Sequence, residues 1–378
     1  MLASNAPHSL ETQLGPYHPV LPSGLRLSLE LRVKGPSLTG WDSEIAEVQV
    51  ETGRSYIGLE QRVGPDADVV EWDQALRMIE ELCAPCSQAN TLAYVQAIEA
   101  MGGLAPPPRA VYLRLVLAET ERIASHLLNA ADTLAALGVS DIEAGLRDMH
   151  ERLLNALANW SGARLQPGLI TYGGLSRNIG DSLCRALALE TRHIERALRA
   201  RVNHILGYKE IAERLVGLGV IEGDEAIEAG LRGPTARASG VPADIRADFP
   251  TDAYEEESPT IVVQRAGDAF SRLVVRLLEC LESLRLIEEA LDDLPHGPVR
   301  LRGIGELRGG SGVGRVEGPR GEIFCWARGD KHGLTGLHLS AGSFPSMAVL
   351  PGLLRGHSLE DLGLLLLSLD LCLPCMER

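Results

Sequence analysis

The chain has 378 residues, 45% hydrophobic and 23% charged, enough apolar material for a substantial core. Its net charge of −15 excludes the basic face that a direct nucleic-acid binder needs. Aromatics are scarce at 4%, so Leu and Ala carry the apolar load, which suits packed helices better than sheets.

In chain order, residues 1–12 read as a loose arm, with no cationic, apolar leader. Leu25 to Val33 and Glu44 to Glu51 alternate apolar and polar residues with a period of two, the mark of half-buried strands. They predict a small antiparallel hairpin or sheet in an amino-terminal β-element, residues 1–65. A helical core follows over 66–300, with predicted helices at Asp73–Leu82, Thr91–Met101, Arg109–Leu137, Asp141–Ser161, Gly180–Tyr208 and Gly267–Leu294. The third is led in by Pro106, Pro107 and Pro108 and closed by Gly138, the expected asymmetry of helix ends. Residues 232–260 look loop-like. In 301–378 a glycine-rich segment (Gly303 to Gly314) precedes a hairpin around Glu322–Ala327, a helix near 358–369 and a cysteine-bearing tail. The expected fold is mainly α: a long-helix bundle core, a small β-sheet at the amino end and β-hairpin structure near 315–340, joined in one integrated domain. The longest late apolar run, Leu362 to Leu369, falls far short of the ~18 residues of a bilayer span, so no transmembrane segment is expected.

There are seven cysteines, and an odd number without a secretory leader argues against a disulfide framework. Cys184, Cys280 and Cys325 sit singly among apolar neighbours, as small buried hydrophobes do. Cys83 and Cys86, and Cys372 and Cys375, form two C-x-x-C pairs, and in such a turn both thiolates can face one point. If the pairs meet, they make a four-thiolate metal site. Spacing alone suggests structural zinc. The long separation in a chain with ample core suggests instead a redox metal, tuned by soft ligands and a dry surround. Both readings stand at this point.

Motifs in order carry a resemblance over nearly the whole chain. They are Gly15-Pro16-Tyr17-His18-Pro19; Gly58-Leu59-Glu60 in the segment from Arg54; Leu82-Cys83-Ala84-Pro85-Cys86-Ser87; and Pro107 to Arg114 with Glu119 to Asn129. Gly233 to Gly240 with Asp244-Ile245-Arg246, Gly267-Asp268, Pro319 to Glu322 and the terminal cysteine pair follow. The sequence resembles the large, catalytic subunit of the membrane-bound, energy-converting (group 4) nickel–iron hydrogenases, relatives of the 49 kDa quinone-site subunit of respiratory complex I. The resemblance implies nickel held by Cys83, Cys86, Cys372 and Cys375, with Cys86 and Cys375 bridging to an iron that carries cyanide and carbon monoxide. It implies that Arg320 stands over that site as a cationic roof. The activity implied is reversible heterolytic H2 cleavage, which needs a base for the proton. Electrons must leave through an iron–sulfur cluster, and no cysteines are left grouped for one, so the resemblance implies an iron–sulfur small subunit, a ferredoxin-like electron-transfer subunit and membrane antiporter-like subunits. The expected location is cytoplasmic, peripheral on the inner face of the membrane.

This chain also departs from the family pattern. Where family hydrogenases carry a proton-relaying glutamate after the opening motif, it reads Leu21-Pro22-Ser23-Gly24. Asn90 replaces the histidine that closes the first cysteine motif, Leu371 a proline and Met376 a threonine, and Ala84-Pro85 replaces a glycine-containing turn. Glu60, or Glu81, is the candidate to replace the lost proton carrier. A second implied reading is a complex I-like subunit with an altered site, quinone-linked or non-catalytic, in which Tyr94 matches the family's quinone-facing tyrosine.

Overall fold

The computed structural model describes residues 8–14, 27–34, 44–51, 58–63, 69–165, 168–303, 307 and 309–376. The opening motif Gly15–Pro19, the segment Leu21–Gly24 and residues 54–57 lie outside the described residues.

Strands β1 (His8–Leu14), β2 (Leu27–Lys34) and β3 (Glu44–Glu51) form an antiparallel sheet in sequence order, Leu10 opposite Leu31 and Leu31 opposite Val48. Of the loose arm expected over 1–12, residues 1–7 lie outside the described residues, and 8–12 are corrected, because His8–Leu14 completes the sheet by pairing with β2. Helix α1 (Trp72–Glu81) leads into the first cysteine pair, and α2 (Ser87–Gly102) begins at the residue after Cys86. α3 (Pro108–Ala136), about 44 Å long at 1.5 Å per residue, packs against α4 (Ser140–Ser161). A short hairpin, β4 (Ile170–Thr171) and β5 (Gly174–Leu175), separates α4 from α5 (Asp181–Gly207). α6 (Lys209–Leu215) and α7 (Gly223–Glu228) follow.

Residues 232–260 are not a plain loop. They hold α8 (Gly233–Ala238), α9 (Ile245–Asp248) and a 3-10 turn at Asp252–Glu255. Their glycines and prolines hide these turns from periodicity, and buried ion pairs hold them in place. Arg237 reaches Glu279 (2.7 Å), Glu317 (2.8 Å) and Asp244 (3.2 Å), while Arg246 reaches Asp244 (2.7 Å) and Glu119 (3.2 Å). α10 (Ala269–Asp292) starts at Asp268, whose carboxylate accepts from Ser271 N at 2.8 Å, and it packs along α3.

The hairpin expected near 315–340 is a three-stranded antiparallel meander of β6 (Gly310–Gly318), β7 (Gly321–Asp330) and β8 (Gly333–Ser340). Part of the glycine-rich segment therefore lies in β6. The glycines let this strand lie directly on α2: a Cβ at Gly314 would collide with Ala93 O, and one at Gly312 with Ala97 O. This close approach explains why α2 is buried on nearly every face. α11 (Ser343–Leu354) has no sequence-level counterpart, because Pro345, Pro351 and Gly352 mask it. α12 (Leu362–Leu369) and the final turn α13 (Leu373–Met376) complete the mainly-α fold.

Candidate metal centre

The two cysteine pairs meet. Their four sulfurs lie within 4.8 Å of one another, Cys83 Sγ 3.3 Å from Cys372 Sγ, and each cysteine is only 2% exposed. Local structure sets each ligand. Cys83 is extended, and the Ala84–Cys86 3-10 turn brings Cys86 N to Cys83 O at 3.2 Å, with Pro85 stiffening the turn. On the other side α12 ends at Asp370, whose left-handed backbone (φ 53°, ψ 50°) reverses the chain towards the centre. Cys372 N donates to Ser343 Oγ at 3.0 Å, and Asn90 Nδ2 donates to Cys375 Sγ at 3.7 Å.

Arg320 clamps the tail to the first pair. Its Nε donates to Asp370 O at 2.8 Å, Nη2 to Asp370 Oδ1 at 2.9 Å and Nη1 to Cys86 Sγ at 3.2 Å. The β6–β7 turn that carries it is anchored from below, where Arg122 donates to Glu317 O (2.6 Å) and Gly318 O (3.0 Å). Arg122 is itself held by Glu119 (3.0 Å), a fully buried carboxylate that also accepts from Ser283 (2.5 Å) and Tyr254 (2.5 Å). Burial opposes the Glu119 charge, but Arg122, Arg246 and the two hydroxyls hold it down at about 2.

Four buried sulfurs this close share protons. Hydrogen bonds from Cys375 and Cys83 drive Cys372 well below the ordinary thiol range, while hydrogen bonding to Cys372 and Cys375 pushes Cys83 and Cys86 well above it. All four can ionise together only around a cation, which is the chemistry of a metal donor set. The surround is positive as well. Burial opposes the Arg320 charge, yet Asp370 and the thiolates hold it well above its ordinary value. Arg276, fully buried 3.9 Å from Asp370, is pulled down by burial. Two guanidiniums facing one carboxylate leave an excess of positive charge that an anionic metal–thiolate centre would balance. A void of only about 10 Å³, room for one water at most, adjoins Cys86, Cys372 and Cys375, walled by Pro319, Ile323 and Ala341 beneath Arg320.

The structure brings Cys83, Cys86, Cys372, Cys375 and Arg320 together. Glu60 stands elsewhere in its bonding: its Oε1 accepts from Leu339 N (2.9 Å) and pairs with His338 (3.2 Å) along β8. Glu81 is exposed at the end of α1. Tyr94 is fully buried, its hydroxyl donating to Trp72 O at 3.4 Å. Two residues escaped the sequence reading. Asp370 carries the clamp, and Glu121, buried on α3, accepts from Gln88 N (2.6 Å) and Ala89 N (3.0 Å) in the first turn of α2. Nothing in the sequence distinguishes Glu121 from a solvated helix-face glutamate.

Fold and site together define a mainly helical subunit in which the turn Leu373–Met376 closes a four-cysteine cluster. Residues 144–305 match the family described as the 49 kDa subunit of respiratory-chain NADH dehydrogenase. The chain is 31% identical to the alpha subunit of the membrane-bound hydrogenase of Pyrococcus furiosus, over 96% of this chain and 86% of that protein. It is 28% identical to an F(420)H(2) dehydrogenase subunit of Methanosarcina mazei, over 100% of this chain and 99% of that one. Among solved structures it superposes on a chain of the membrane-bound sulfane sulfur reductase, an archaeal respiratory membrane complex, with a TM-score of 0.89 at 25% identity and 100% of both chains covered. The chain belongs to this family of large subunits, shared by membrane-bound hydrogenases and the 49 kDa subunit of NADH dehydrogenase.

Proposed function

We propose that the chain is the catalytic large subunit of a nickel–iron hydrogenase module in a membrane-bound complex, performing reversible heterolytic H2 cleavage and proton reduction. The observation that carries this reading is the four-thiol cluster beneath the Arg320 guanidinium, whose Nη1 lies 3.2 Å from Cys86 Sγ. A structural zinc needs the four sulfurs but no cationic roof. Cys83, Cys86, Cys372 and Cys375 would hold a nickel–iron pair. A bound nickel–iron pair supplies the redox chemistry and the polarisation of H2.

The chain's own residues do the rest. Arg320 fixes a positive charge over Cys86, where negative charge develops. Pro319, Ile323 and Ala341 keep that side dry. Asn90 donates to the Cys375 sulfur and, having no titratable proton, holds it without competing as a base. Electrons leave to an iron–sulfur small subunit, because Cys184, Cys280 and Cys325 are buried and scattered. A ferredoxin-like subunit and membrane antiporter-like subunits complete the assembly. Among the described residues no helix is long and apolar enough to cross a membrane. The membrane-bound relatives support a peripheral place on the inner face of the cytoplasmic membrane.

The test is hydrogen-isotope exchange between H2 and D2O by the purified complex. Exchange in the wild type and its loss in Cys375→Ser support the assignment, whereas exchange that survives Cys375→Ser overturns the ligand set. The second reading, a complex I-like subunit that is quinone-linked or non-catalytic, draws on Asn90, Leu371 and Met376 around the cysteines and on the dehydrogenase relatives. Quinone-dependent electron transfer in a complex without nickel would establish it.

A further inference from the structure

A cavity of about 390 Å³ lies between α3, α4 and the cysteine loops, and it shares no lining residue with the void under Arg320. Leu82, Leu128, Leu154 and Leu157 make its wall largely apolar. Among the described residues that wall carries one thiol, Cys83, and one carboxylate, Glu121. The rim reaches solvent at Arg164 and at Leu165, which is 49% exposed.

The wall also carries polar atoms that the fold leaves unmatched. Gln88 Oε1 and Ser125 Oγ are buried without a hydrogen-bond partner among the described residues. Buried polar atoms of this kind are ordinarily satisfied by internal water, and the cavity is large enough to hold several molecules. His150 adds a further acceptor. Its Nδ1 bonds to Ala124 O at 2.9 Å, and a carbonyl only accepts, so Nδ1 carries a proton and, in the neutral ring, Nε2 is the acceptor.

We propose that Glu121 is the proton-transfer residue of this subunit, exchanging protons between the Cys83 side of the centre and solvent through water in this cavity. The proposal rests on the hydrogenase reading and supplies the carrier that Leu21–Gly24 lacks. In the oxidative direction an S–H bond at the cysteine side breaks as an O–H bond forms on the Glu121 carboxylate. That O–H bond then breaks as cavity water carries the proton past His150 to the rim, and no electrons travel this way. Burial raises Glu121 to about 8, against the pull of the Gln88 and Ala89 amides, Arg122 and Arg320, so it both accepts and donates near neutral pH. Of the groups around it, Arg122 comes from its own helix, Arg320 from the β6–β7 turn, and His150 and Arg164 from α4 and its exit.

The test uses the assembled complex with Glu121→Gln, Glu121→Asp and Glu121→Ala. Infrared spectroscopy should show a carboxylic-acid band that titrates near pH 8, shifts on transfer to D2O and vanishes in Glu121→Gln. A Glu121 signal that titrates in the ordinary carboxylate range, or does not respond to D2O, overturns the proposal. H2/D2O exchange should fall ~100-fold or more in Glu121→Gln at unchanged nickel and iron content, and Glu121→Asp should recover part of it. Exchange retained in Glu121→Gln and lost only in Glu121→Ala would make Glu121 a cap for α2 and refute proton transfer. If the wild type exchanges no hydrogen, the hydrogenase reading fails, and the infrared titration alone decides whether Glu121 exchanges protons with solvent.

Discussion

Removing the Arg320 side chain tests what holds the cysteine tail in place. Arg320→Ala deletes three charge-assisted bonds: two to Asp370 at 2.8 and 2.9 Å and one to Cys86 Sγ at 3.2 Å. It leaves the Asp370 carboxylate, 1% exposed, with only Arg276 at 3.9 Å among the described residues. Breaking a buried ion pair by deleting one partner costs about 3–5 kcal/mol, and Arg320 is 12% exposed, so the lower end applies. The left-handed backbone at Asp370 disfavours the docked tail by a further ~1 kcal/mol that the clamp normally overcomes. About 3 kcal/mol corresponds to a ~100-fold rise in local opening. The assay is thiol labelling of the metal-free chain under native conditions. Cys372 and Cys375 should react ~100-fold faster in Arg320→Ala, while buried Cys280 and Cys325 keep wild-type rates. Arg320→Lys, which keeps the charge without the fork, should fall between. A change below about threefold at Cys372 and Cys375, or equal acceleration at Cys280, would refute the clamp.

Other outcomes follow from the same structure. Gly314→Ala should strongly destabilise the fold in a urea titration, because its Cβ meets Ala93 O on a buried helix and neither backbone can yield. Glu119→Gln leaves Arg122 and Arg246 short of a buried counter-ion and should lower stability by about 3 kcal/mol. Glu119 is held at about 2 against an ordinary 4.5, so its contribution is complete above pH 4.5 and is lost as pH falls towards 2; Glu119→Gln should flatten that acid limb. Glu121 has the opposite sign. Raised to about 8, it adds stability below pH 4.5 that is lost as pH rises through 8, and Glu121→Gln should remove that slope in thermal scans.

Much of the fold was legible because long amphipathic helices and period-two strands announce themselves. The Arg109–Leu137 expectation lies one residue from the observed Pro108–Ala136 at each end, since proline and glycine mark both termini. What the sequence concealed lies where tertiary contacts override local signals. Gly310–Gly314 reads as loop until a helix backbone is laid against it, and α8 is held by ion pairs from Arg237 to Glu279 and Glu317, 42 and 80 positions away. The cysteine spacing announced the centre, and the resemblance added Arg320. Asp370 and Glu121 were hidden because burial makes them functional candidates, and burial of one carboxylate on a helix has no periodic signature.

The central claim, that the four thiols hold a nickel–iron pair, is tested most directly by metal analysis with infrared spectroscopy on the complex purified without added metal. Nickel and iron are expected in equal amounts with cyanide and carbon monoxide bands, all lost together in Cys375→Ser. Zinc in the four-cysteine site, or no metal there at all, would contradict the claim.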